Sequence, residues 1–77
     1  MGTMEKIKEI ISEQTGTDTG KLTENTTIED VMADSLDTVE LLMSVEETFN
    51  IDIPDSEAQK LRSLGDLSDY IDKKLLG

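Results

Sequence analysis

Ser35 carries the strongest chemical signal in the sequence. It stands in Asp34-Ser35-Leu36-Asp37-Thr38-Val39-Glu40-Leu41-Leu42-Met43, where two strong N-cap types open a run of helical periodicity. The free N–H groups and dipole of a helix start favour an attached anion by about 0.3–1 kcal/mol at exposed positions. A phosphate ester on Ser35 would therefore sit well. The same residues also suit a plain N-cap serine, which on local physics alone is the commoner case. Catalysis by the chain itself is poorly supplied. With no His and no Cys, it lacks the usual general base near neutral pH, the usual triad member, a thiolate nucleophile and the common zinc ligands. No Lys stands at motif spacing from Ser35, and no nucleophile elbow surrounds it. Asp34 and Asp37 lack EF-hand spacing, so only loose cations relieving self-repulsion are expected, with no structural metal.

A helix over about 34–50 must present that serine. At about 100° per residue, Asp37, Glu40, Ser44 and Glu47 share an arc roughly 80° wide, and Val39, Leu42, Val45 and Phe49 share another. Glu46 projects into the apolar arc, as an edge position or half of an ion pair. A first helix is predicted from Met4 to Thr15, with Ile7, Ile10, Ile11 and Gln14 on one face and Gly16 as its C-terminal cap. Residues 17–34 are rich in turn formers and read as a long loop pegged by Leu22, Ile28 and Val31, with a short turn after Thr27 paired to Asp30. Ile51-Asp52-Ile53 is too short for a strand. Pro54 opens a short helix to about Leu61, with Ser56 and Gln59 as a capping box, and Ser63 with Asp66 caps a last helix through Leu67, Tyr70, Ile71 and Leu75. Gly65 in its first turn costs about 1 kcal/mol relative to Ala. The expected core is Ile7, Ile11, Ile28, Val39, Leu42, Val45, Phe49, Leu67 and Ile71. These elements predict an all-α fold: a small four-helix bundle, three helices longer and one short, with a long loop between helices one and two. Met1-Gly2-Thr3 reads as a remnant ahead of a single domain over 4–77.

Eighteen acidic against seven basic residues leave a net charge of −11. Such a chain repels phosphate backbones and anionic lipid, so nucleic acid and membranes are poor partners and basic protein surfaces good ones. No apolar run is long enough to span a membrane. No signal-peptide pattern is present, and Lys6 stands where myristoylation wants Ser or Thr. The expectation is a cytoplasmic monomer.

Asp34-Ser35-Leu36 followed by Asp37-Thr38-Val39-Glu40-Leu41 resembles the attachment motif of acyl carrier proteins. The resemblance extends through Glu46-Glu47-Thr48-Phe49-Asn50-Ile51-Asp52-Ile53-Pro54-Asp55 and through Ser63 to Ile71 with Asp69-Tyr70-Ile71. It is looser over Ile10-Ile11 and Glu13-Gln14, and in all covers about Glu5 to Leu75. It implies that Ser35, flanked by Asp34 and Leu36, is esterified with 4'-phosphopantetheine from coenzyme A. A separate phosphopantetheinyl transferase (holo-acyl carrier protein synthase) would do this with magnesium, the hydroxyl attacking the pyrophosphate and adenosine 3',5'-bisphosphate leaving. The arm's thiol would carry acyl groups as thioesters, which accounts for a carrier without Cys or His. The chain would then be no enzyme and have no catalytic residues.

The resemblance also turns the acidic arc from an ordinary solvated face into a docking face. Asp37, Glu40 and Glu47, with Leu36 and Met43 adding apolar contact, would meet basic patches on ketosynthases, acyltransferases and other enzymes of fatty acid biosynthesis. A core of this kind is compatible with sheltering an acyl chain. The sequence departs from the family pattern in two places. Met32 stands where Gly usually precedes Ala-Asp-Ser, which alters the backbone approach to the serine or adds apolar contact. Thr15 and Thr17 replace apolar residues around Gly16, which weakens the end of helix one. Two alternatives stay open: a specialised carrier for polyketide, peptide or cell-envelope acyl transfer, and an unmodified acidic helical adaptor.

Overall fold

A computed structural model describes residues 2–76. The first helix, α1 (Thr3–Thr15), starts at Gly2 and turns Ile7 and Ile11 fully inward. It stops at Gly16, whose φ of 78° is the left-handed value that glycine adopts without a Cβ penalty; the Gly16 N–H donates to Ser12 O at 2.8 Å. The predicted weakness at this end is repaired locally. The Thr15 hydroxyl donates to Ile11 O at 2.9 Å and bonds Thr17 Oγ1 at 2.8 Å, so the threonines satisfy groups that apolar residues would leave to water. Thr3 belongs to α1, and its hydroxyl donates to Asp72 Oδ1 near the end of the last helix.

The long segment after Gly16 is an ordered strap. Asp18 caps a 3₁₀ turn over Thr19–Lys21, Leu22 and Ile28 are buried, and Val31 packs against the core. A one-turn helix, α2 (Ile28–Val31), begins where Thr27 Oγ1 accepts the Asp30 N–H at 3.2 Å. Backbone bonds stitch the strap to residues 62–65: Ile28 N to Arg62 O at 2.8 Å, Leu64 N to Thr26 O at 2.9 Å and Gly65 N to Glu24 O at 2.9 Å. Among the described residues no strand forms; Thr27 and Ser63 make an isolated antiparallel bridge.

The central helix, α3 (Ser35–Phe49), ends on Asn50 in the left-handed conformation, φ 55°. Its inward face differs from the predicted arc. Leu41 and Val45 are fully buried, Leu42 and Phe49 only partly, and Val39 is 49% exposed. Apolar residues occupy most of the wheel's circumference here, so periodicity alone does not fix which side turns toward α1 and α5. Glu46 takes an edge position: its Oε2 accepts the Ile53 N–H at 3.0 Å and ties the following loop back to α3.

The short helix α4 (Asp55–Ala58) is four residues long and does not reach Leu61. Pro54, extended at φ −62°, is its N-cap without a side-chain bond, so the helix is already under way at Ser56 and the Ser56–Gln59 box does not form. The last helix, α5 (Leu64–Leu76), does carry its predicted cap. Asp66 N donates to Ser63 Oγ at 3.0 Å, and Asp66 Oδ2 accepts the Ser63 and Arg62 N–H groups at 3.3 Å. Those backbone donors, Ser63 first, hold the Asp66 carboxyl below its ordinary range. Gly65 has a steric role. A Cβ there would lie 3.0 Å from Glu24 O and 3.2 Å from Glu24 Cβ, so any larger residue would have to push the strap back by a few tenths of an ångström.

Ile7, Ile11, Leu41, Val45, Leu64, Leu67 and Ile71 form the fully buried centre of the all-α bundle. Each such side chain contributes about 1.5–3 kcal/mol on burial. Among the described residues no helix is long and apolar enough to cross a membrane.

Candidate functional site

Asp34 decides what Ser35 is free to do. Both are good caps, but Asp34 takes the position: its backbone is extended, and its Oδ1 accepts the Asp37 N–H at 3.0 Å. Ser35 becomes the first helical residue, exposed and relieved of capping. Its hydroxyl thus stands at the positive end of a 15-residue helix, where an anionic ester is electrostatically favoured.

The turn that holds it is braced from α1. Gln14 Nε2 donates to Asp37 O at 2.8 Å and reaches Met32 Sδ at 3.7 Å. Met32 is 4% exposed and has an ordinary negative φ of −106°. Of the two effects expected at this position, added apolar contact is the one realised; the backbone here needs no glycine.

A groove of about 900 Å³ runs alongside Ser35. Ile28, Met32, Val39, Leu42, Ala58 and Leu61 give it an apolar floor, while Asp34, Asp55 and Arg62 are among its polar lining. The half-exposure of Val39 follows from its place here rather than in the core. An exposed hydroxyl at a helix start, next to an open groove with both apolar and polar walls, fits a long amphipathic group esterified through phosphate.

The other predicted residues lie further along α3. Leu36 and Met43 are 64% and 53% exposed, Glu40 and Glu47 are exposed, and Asp37 is half-buried. Glu40 and Glu47 border a second hollow of about 360 Å³, between α1 and α3, and across it stands Glu13. The sequence marks Glu13 only within the looser resemblance of helix one, because no local pattern links it to residues more than twenty positions later. Among the described residues no group of three or more His, Cys, Asp or Glu side chains is arranged to hold a metal ion.

Comparison with known proteins agrees with this geometry. Residues 5–71 match the family model described as the phosphopantetheine attachment site. The acyl carrier protein of Akkermansia muciniphila is 51% identical over 70 residues, 90% of this chain and 88% of that one. The crystal structure of the acyl carrier protein of Thermotoga maritima superposes with a TM-score of 0.79 at 38% identity, covering 94% of this chain and 85% of that one. A solved structure of the acyl carrier protein of Enterococcus faecalis superposes with a TM-score of 0.79 at 27% identity, covering 96% of this chain and 99% of that one.

Proposed function

Because the chain belongs to the acyl carrier protein family, whose members carry acyl groups on covalently attached 4'-phosphopantetheine, we propose that Ser35 Oγ is the attachment point. The observation that carries this reading is the exposed hydroxyl at the start of α3, released from capping by Asp34 and opening onto the groove. When bound, the arm supplies a terminal thiol that holds acyl groups as thioesters. The chain's own part is to present and steer. Asp34 and Gln14 hold the first turn of α3, the helix start favours the ester's charge, and the groove offers the arm a wall that excludes water from its apolar portions.

Asp37, Glu40 and Glu47, with Leu36 and Met43 beside them, serve in this reading as the face that meets partner enzymes. The transferase that installs the arm and the enzymes of fatty acid biosynthesis would present basic patches to it. Weak, fast exchange suits such a face, since long-range charge raises association rates and salt screens it. The reading takes the carrier to be one domain over 4–77, non-catalytic, monomeric and working in the cytoplasm.

Intact-mass measurement before and after incubation with coenzyme A and a broad-specificity transferase tests the proposal. The chain should gain the mass of the arm. The Ser35→Ala variant should gain none while keeping its helical circular dichroism. An unchanged mass for the unmutated chain would favour an acidic adaptor, and loading of the alanine variant would move the site elsewhere.

A further inference from the structure

Arg62 is the chain's one arginine, and it lines the groove beside Ser35. Three carboxylates share that lining, those of Glu29, Asp34 and Asp55, and no second cation does. Among the described residues the one ion pair is Lys60–Glu57 at 3.9 Å, so Arg62 is exposed and makes none. Its backbone is anchored on both sides. The N–H donates to Asp66 Oδ2 at 3.3 Å, and the carbonyl accepts the Ile28 N–H at 2.8 Å. The guanidinium is therefore an exposed head on a fixed root.

The proposed arm joins Ser35 through a phosphodiester, which adds a negative charge next to Asp34 in a chain already at −11. One group lining the groove can offset that charge. Guanidinium also suits the task chemically: its planar fork of donors matches two phosphate oxygens at once, whereas an ammonium acts as a point charge. We infer that Arg62 is a binding residue for the arm, its guanidinium donating to the phosphodiester oxygens of the group carried on Ser35. The inference rests on Ser35 being the attachment point. Because the pair is solvent-exposed, salt weakens it.

The test compares apo and loaded protein by NMR, after intact mass has shown that the arm is present. A chain that gains no mass removes the premise and the inference together. In the loaded protein, the Arg62 Nε–Hε resonance should move from its apo position. The phosphorus resonance of loaded Arg62→Ala should differ from that of the unmutated protein, with Arg62→Lys between them. Both differences should shrink at about 0.5 M salt, where the Debye length is only a few ångströms. An Nε–Hε signal identical in apo and loaded protein overturns the proposal even if Arg62→Ala fails to fold. Identical phosphorus signals in folded Arg62→Ala and unmutated protein overturn it equally.

Discussion

Asp66 accepts the N–H groups of Ser63 and Arg62, and these bonds favour its ionised form in the folded chain. The sign of the pH effect follows. A depressed carboxyl pKa means that the unfolded chain binds the proton first, so the contribution is complete above the ordinary Asp value of about 3.9 and is lost as pH falls through the lower folded value. Asp66→Asn should therefore be less stable than the unmutated chain at pH 7, with the gap closing below about pH 4. Urea unfolding across that range measures it, and a gap independent of pH would contradict the assignment. Elsewhere at this scale, Glu40→Lys and Asp37→Lys should slow loading by the transferase several-fold at low salt, and little at high salt, while the fold persists. Asp37→Lys should in addition lose a few tenths of a kcal/mol, because Asp37 lies in the first turn of α3, where the helix dipole favours an anion. Loading kinetics unaltered in both variants would count against the docking face. That Ser35 stands at a helix start was legible from its neighbours, but its freedom was not. Asp34 and Ser35 are equally good caps on paper, and only the backbone turn at Asp34 shows which takes the duty.

Among the elements, local chemistry marked two ends correctly and one wrongly, since Pro54 starts α4 before the Ser56–Gln59 box can form. Gly16 ends α1 and the Ser63–Asp66 pair opens α5, because each needs only residues within a few positions. Features set by distant neighbours were not legible. Leu41 enters the core, while Val39 lines the groove beside Ser35. Glu46, unexplained on the wheel, finds its partner in a backbone amide seven residues on. Gly65 is the sharpest case. By propensity Gly65→Ala should gain about 1 kcal/mol. The structure opposes that gain, since the new methyl would press on the Glu24 backbone and disturb the Gly65 N–H bond to Glu24 O. With crowding costing about 1–3 kcal/mol, the expected result is a net loss of about 1 kcal/mol in urea unfolding. A gain in stability would show that the strap yields freely there.

For the molecule as a whole, charge opposes a small core. Eleven net negative charges repel one another across a domain of 77 residues, and a chain of this size buries only about 60% of its unfolded surface. Added salt or millimolar magnesium should therefore raise the melting temperature. Each kcal/mol of relieved repulsion corresponds to about 4–8 °C for a domain of this length. A melting temperature indifferent to both would show that the acidic surface costs the fold nothing. The bonds joining the strap to residues 62–65 bear on the same whole. They mean that the segment leading to Ser35 acquires its final shape only from residues made about thirty positions later. During synthesis the serine emerges from the ribosome well before the partners that settle its approach. A modifying enzyme that reads this shape would tell a chain extended past residue 65 from a shorter one without any separate signal.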